Sequence, residues 1–297
     1  MDQASRLRKI ITDRNATEKR NNISGKGNKK NTRIICVTSG KGGVGKTNFT
    51  ANLAINLSKR GKKVVVIDAD LGLANVDVVL GVIPRYNLLD VIKKGKDITE
   101  IMNQGADGVK LISGGSGIID LVDMPKERLQ VLINQFDKLY NHAEIILIDT
   151  GAGLTKSVLS FAHASDEIVV ITTPEPTSLT DAYAMIKHLW SKENDKKIRI
   201  VINRVDNLKE GKVAFEKLRS VCDRFLDFKI YSLGYLPNDK NVGKAVRLQK
   251  PFVVEYPNTI ASKNIDIMAA NLIDKKLNTK DVIYADNFIN KVISLFR

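Results

Sequence analysis

The chain has 297 residues, 43% of them hydrophobic, enough apolar material for one large α/β domain with short appendages. Lys and Arg (47) against Asp and Glu (33) leave a formal net charge of +14, which favours anionic partners through long-range attraction but specifies no activity. The two cysteines, Cys36 and Cys222, have no CxxC spacing and sit in apolar runs, which argues against an iron–sulfur or zinc site and for reduced core thiols.

Taken in order, the start MDQASRLRKI lacks the apolar stretch of a secretory signal, and no run of about 18 apolar residues follows that could span a bilayer. A cytoplasmic protein is expected. Residues 1–20 place Ala4, Leu7, Ile10 and Ile11 at helical spacing, and 21–32, rich in Asn, Gly, Ser and Lys, read as a flexible basic linker. From residue 33 the pattern changes. Short β-branched runs, RIICVTS, KKVVVIDA, VKLISG, AEIILIDT, EIVVITT, IRIVINR and KIYSLGYL, alternate with helical stretches. Apolar runs without alternation suit strands buried on both faces, so residues 33–276 are expected to form an α/β, doubly wound, mostly parallel sheet with helices on both faces. Ligands bind such sheets beyond the carboxyl ends of the strands. The end, 277–297, lines Val282, Ala285, Ile289, Val292, Ile293 and Phe296 along one helical face, which fits either an interfacial membrane helix or a helix packed on the sheet.

The first strand runs into Gly40-Lys41-Gly42-Gly43-Val44-Gly45-Lys46-Thr47, followed by Asn48 and a helical run. Strand, glycine-rich loop and helix in this order are a P-loop: its backbone amides close around phosphate oxygens, Lys46 reaches the β- and γ-phosphates, and the Thr47 hydroxyl ligates Mg²⁺. Lys41 is surplus to that scheme, because two ammonium groups crowd one phosphate chain. Offered to a second subunit's nucleotide, it would act as an arginine finger does; otherwise it is a solvated lysine.

The second strand ends with Asp68 and Asp70 at alternate positions, where carboxylates can hold a metal's water shell and orient an attacking water, or simply cap a turn. Asp70, further out, is the candidate for the water. Asp149 closes EIILID ahead of Thr150-Gly151-Ala152-Gly153, the arrangement of a Walker B aspartate on Mg²⁺ with a switch loop behind it. Later strands end in TTPEPTS, in Asn203-Arg204 and before Pro237; the Asn203 amide suits adenine's edge, while turn and cap roles compete for all three.

Together KGGVGKT, DADLGLANVD, DTGAG and VINR resemble the MinD/ParA ATPases of the SIMIBI class of P-loop proteins, over most of residues 33–260. DTGAG, TTPEPTSLTDAYA and the opening Asp2-Gln3-Ala4-Ser5-Arg6-Leu7-Arg8 are most similar to the FlhG (YlxH/FleN) group, MinD-like regulators of flagellar number and placement. The resemblance implies ATP and Mg²⁺ as ligands, ADP as product, and an ATP-bound homodimer with Lys41 reaching across and Asp70 assisting water. It also implies membrane attachment at a cell pole through the C-terminal helix, by Ile289, Val292, Ile293 and Phe296. The N-terminal element, with Gln3, Leu7 and Arg8, is implied to stimulate an FlhF-type GTPase of the signal-recognition class, and flagellar C-ring components are implied as further partners. Asn48 departs from the second threonine of many MinD loops. A ParA-like DNA-segregation ATPase is the alternative, supported by the +14 charge and the basic linker.

Overall fold

The computed structural model describes residues 32–70, 75–114, 134–136, 138–190 and 196–273. The N-terminal element expected to carry Gln3, Leu7 and Arg8 and the expected C-terminal helix with Ile289, Val292, Ile293 and Phe296 lie outside the described residues.

Eight strands form one sheet in the order β3-β4-β2-β5-β1-β6-β7-β8. They are β1 (Arg33–Ser39), β2 (Val64–Ala69), β3 (Asn103–Gln104), β4 (Lys110–Ser113), β5 (Ile145–Ala152), β6 (Glu167–Thr172), β7 (Lys197–Val205) and β8 (Tyr231–Pro237). All pairings are parallel except that of β3 with β4, as the β-branched runs predict. β1 is central, paired with β5 on one side and β6 on the other.

Alternate side chains of each strand feed two cores. Ile34 and Cys36 of β1 and Ile146 and Ile148 of β5 face one way, onto α4 (Lys156–Ala164), α5 (Pro176–Trp190) and α6 (Leu208–Leu226). Ile35, Val37, Ile145 and Leu147 face the other way, onto α1 (Lys46–Lys59), α7 (Lys240–Arg247), α8 (Phe252–Glu255) and α9 (Ile260–Ile273). The short α2 (Val76–Leu80) joins this second layer, and α3 (Leu88–Lys94) joins the first. Burial on both faces is why these strands lack polar alternation, and each fully buried Leu, Ile or Phe contributes about 1.5–3 kcal/mol. Both Cys36 and Cys222 are buried thiols, as expected, and burial pushes each up to about 12.

α1 also carries a wholly buried amide. Asn52 Nδ2 donates to the Asn48 carbonyl (2.7 Å), and its Oδ1 accepts from the Val253 N–H (3.0 Å), fastening α8 to the helix that follows the glycine loop.

At the opposite, amino end of the strands lies a closed charge cluster. Glu167 accepts from Arg33 Nε (3.1 Å) and Arg199 Nε (3.1 Å), while Arg33 Nη1 donates to the Leu272 carbonyl (2.5 Å). Burial opposes ionisation of Glu167, but the two guanidinium groups outweigh it and hold its carboxyl below the usual range. Asp166 accepts from the Ile34 N–H (2.8 Å), and Lys196 donates to the Ser165 carbonyl (2.8 Å) and to that of His163, closing the end of α4.

Candidate nucleotide site

The loop after β1 is shaped by two glycines that admit no side chain. A Cβ on Gly40 would lie 2.2 Å from the Asp181 carbonyl oxygen of α5, and one on Gly45 would lie 2.4 Å from Asn203 Nδ2. Gly45 also has φ +95°, a conformation that costs an L side chain strain and that brings the chain into the first turn of α1.

Around this loop the carboxyl ends of β2 and β5 bring acidic groups to the base of α1. Asp149 is fully buried, and Thr47 Oγ1 donates to its Oδ2 (2.7 Å) while Thr50 Oγ1 donates to its Oδ1 (2.8 Å). Lys46 Nζ stands 3.6 Å from Oδ1. Burial raises the Asp149 carboxyl, opposed first by Lys46 and then by the two hydroxyls. Lys46 is itself buried, and a charge partner at 3.6 Å is beyond hydrogen-bond length, so its ammonium retains donor capacity toward the loop. A buried, under-satisfied cation beside a carboxylate already holding a threonine hydroxyl is a donor set that fits a polyphosphate and its divalent ion. Among the described residues no cluster of three or more His, Cys, Asp or Glu could hold a metal ion by itself.

Asp68 lies beside Asp149 in register, and both its oxygens accept from backbone amides. Oδ1 accepts from Asp70 N–H (3.1 Å), and Oδ2 accepts from Asn75 N–H (3.0 Å) and Val76 N–H (3.1 Å). Burial, then repulsion from Asp149, push it up to about 6 despite those three donors. The geometry thus gives Asp68 a capping role at the start of α2, one of the two roles open in the sequence. Asp70 is brought to the switch loop: a Cβ on Gly151 would lie 3.4 Å from its Oδ1.

Lys41 leaves its own loop. Its Nζ donates to Glu175 Oε2 (3.1 Å) and Thr177 Oγ1 (3.0 Å), with 40% of the side chain exposed. Asn203 braces the loop: Nδ2 donates to the Val44 carbonyl (2.7 Å) and Oδ1 accepts from the Arg204 N–H (2.9 Å). Arg204, at φ +57°, lines a cavity of about 290 Å³ with Thr173, Pro174, Glu175, Pro176 and Glu210, where the TTPEPTS and Asn203-Arg204 loops converge. Pro237 ends β8 opposite Val205 on the same rim. Asn48 supplies the carbonyl that Asn52 holds. Thr50, Glu175 and Thr177 were not singled out from sequence; Thr50 lies one helical turn beyond Lys46, a spacing that signals a shared face.

The fold and this site define a P-loop nucleotide-binding protein, and residues 35–252 match the CobQ/CobB/MinD/ParA nucleotide binding domain, so the chain belongs to that family and is a MinD/ParA-type ATPase. Two relatives narrow the group. The antiactivator FleN of Pseudomonas aeruginosa is 40% identical over 77% of this chain and 82% of its own, and the flagellum site-determining protein YlxH of Helicobacter pylori is 38% identical over 92% and 91%. These two place the chain with the MinD-like ATPases of flagellar patterning. Among solved structures, the septum site-determining protein MinD of Pyrococcus horikoshii complexed with Mg-ADP aligns with TM-score 0.66 and 25% identity over 82% of this chain and 96% of that one.

Proposed function

We propose that this ATPase is a nucleotide-driven dimerisation switch that sets flagellar number and placement. The observation that carries the proposal is Lys41, which stands outside its own phosphate loop, partly exposed, on two surface side chains that a second subunit's nucleotide can outcompete. An exposed ion pair of this kind is worth only about 0–1 kcal/mol, so releasing Lys41 costs little.

Mg-ATP, when bound, supplies the transferable γ-phosphoryl group and the cation that offsets its charge. Lys46 and the glycine loop hold the phosphates, Thr47 and Asp149 hold the metal side, and Asp70 orients water from beside Gly151. Lys41 of each subunit neutralises charge on the partner's phosphates, and hydrolysis returns monomers. For base contact, Asn203 would have to exchange its bond to Val44, with Arg204 and Pro237 on the rim beside it. Dimerisation would pair two C-terminal helices, bearing Ile289, Val292, Ile293 and Phe296, and make two marginal anchors into one stable attachment to anionic membrane. The N-terminal element, with Gln3, Leu7 and Arg8, would stimulate an FlhF-type GTPase, and C-ring components would be further partners.

The test is the mass in solution by light scattering, with Mg²⁺ and either ADP or a non-hydrolysable ATP analogue. Wild type and Asp70→Ala should double in mass only with the ATP analogue, and Lys41→Ala should remain monomeric. A mass indifferent to nucleotide in wild type would remove the switch.

A further inference from the structure

Twelve large apolar side chains are exposed among the described residues, and they are unevenly placed. Besides Val78 on α2, six of them, Ile83, Val246, Leu248, Val254, Ile260 and Ile267, belong to the layer built on α1 or to the turn that follows α2. Ile83 is 92% exposed. This is not the fraying of a loose end. After α7 the Leu248 N–H donates to the Lys244 and Ala245 carbonyls (both 3.1 Å), Gln249 N–H to Val246 (3.0 Å) and Lys250 N–H to Ala245 (3.1 Å). Gln249 takes φ +52° to complete the turn, and its carbonyl would lie 3.2 Å from a Cβ on Gly81, so the turn carrying Ile83 abuts the one carrying Leu248.

The same elements are rich in cations. Residues 240–273 contain five Lys or Arg and two carboxylates, and both carboxylates are engaged, Glu255 by Lys250 (3.1 Å) and Asp266 by Arg60 (2.8 Å). Lys244 and Arg247 are exposed on α7 with Val246 between them in sequence. Exposed aliphatic tips interleaved with Lys and Arg suit an interface with anionic lipid, where the tips reach the acyl boundary and the cations meet headgroup phosphates. A single-stranded nucleic acid surface would call for stacking aromatics among the cations instead. The chain leaves the described residues at Ile273, at the end of α9 in this same layer, with 274–297 still to follow.

We infer that the α7–α8–α9 layer, with the turn at Ile83, is a second membrane-contacting surface that lies against anionic lipid when the C-terminal segment is inserted. It rests on the membrane reading above and adds an orientation to it: the α1 side faces the bilayer, and α4, α5 and α6 face the cytoplasm.

Because Cys36 and Cys222 are buried, a thiol introduced by Leu248→Cys is labelled selectively with an environment-sensitive fluorophore, and Phe225→Cys on α6 provides the control on the other layer. The full chain, with Mg²⁺ and a non-hydrolysable ATP analogue, is mixed with vesicles of phosphatidylglycerol in phosphatidylcholine and sedimented. The label at 248 should shift to the blue in the pelleted protein while that at 225 does not. Lys244→Gln with Arg247→Gln should weaken vesicle binding roughly 30-fold, the effect of removing two surface cations. Protein that pellets with an unshifted label at 248 overturns this inference and leaves the helix anchor standing. A label already shielded before vesicles are added also overturns it, since the face is then covered by the chain's own C-terminal segment or by a second copy. Wild type that never pellets overturns both.

Discussion

The two ends of the central strands carry buried charge in opposite states of completion. At the amino end, Glu167 is matched by Arg33 and Arg199, and Lys196 by carbonyls at the end of α4, so each charge is met by the protein itself. At the carboxyl end, Lys46 and Asp149 stand 3.6 Å apart, Asp68 is pushed up to about 6 beside Asp149, and Lys41 rests on exposed side chains. Buried charge is costly in either place. Where the chain completes it, the cluster stabilises the fold; where completion is left to a ligand, the same cost becomes affinity and a reason to change state.

If that contrast is right, breaking the amino-end cluster should cost stability and spare activity. Glu167→Ala strands two guanidinium groups, one of them 7% exposed, and should lower unfolding free energy by about 3 kcal/mol in a denaturant titration, with ATP turnover per folded molecule unchanged. A large loss of turnover in the folded fraction would show that the two ends are coupled.

The carboxyl end should respond the other way. Thr50→Val keeps the side-chain shape but removes one of the two hydroxyls on Asp149, for a stability change of about 1 kcal/mol, while Thr47 and Lys46 remain. Steady-state ATP hydrolysis should fall about tenfold, because Asp149 loses one of the two bonds that orient its carboxylate. Undiminished turnover would make Thr50 a packing residue.

The smallest effect concerns pH. Burial raises Asp166 to about 6, above its unfolded value, so its contribution to stability is fully present below about pH 4 and is lost as pH rises through about 6. Asp166→Asn should remove that slope: relative to wild type it should gain on the order of 1 kcal/mol between about pH 4 and pH 7, measured as the difference between the two denaturation curves. A constant difference across that range would mean that Asp166 is not titrating there.

The same contrast explains what the sequence could disclose. Six strands were legible because burial on both faces favours unbroken β-branched runs, as in IICV and EIILI, and the edge strand β8 because of its apolar residues Leu233 and Leu236; β3, only Asn103–Gln104, has no apolar signature. The glycine loop was legible because its conformations restrict residue type. Partnerships were less so. Thr50 meets an aspartate 99 positions away, and Lys41 meets Glu175 134 positions away, contacts set by strand order that no local spacing encodes. Asp68 could be a metal-side carboxylate or a cap on sequence alone, since both need an acid at a strand end; the amides of Asn75 and Val76 that it caps lie seven and eight positions on and have no local signature.

The position of β1 has a temporal consequence. Arg33 pairs with Ile145, and Cys36 with Ile168, so the strand that leads into the glycine loop has no neighbour to join until more than a hundred further residues are available. Contacts this distant along the chain are slow to close, because the entropy of a long loop is lost before any pairing is gained. During synthesis, β1 must therefore wait for β5 and β6, and the chain acquires its nucleotide loop only after most of the sheet can exist.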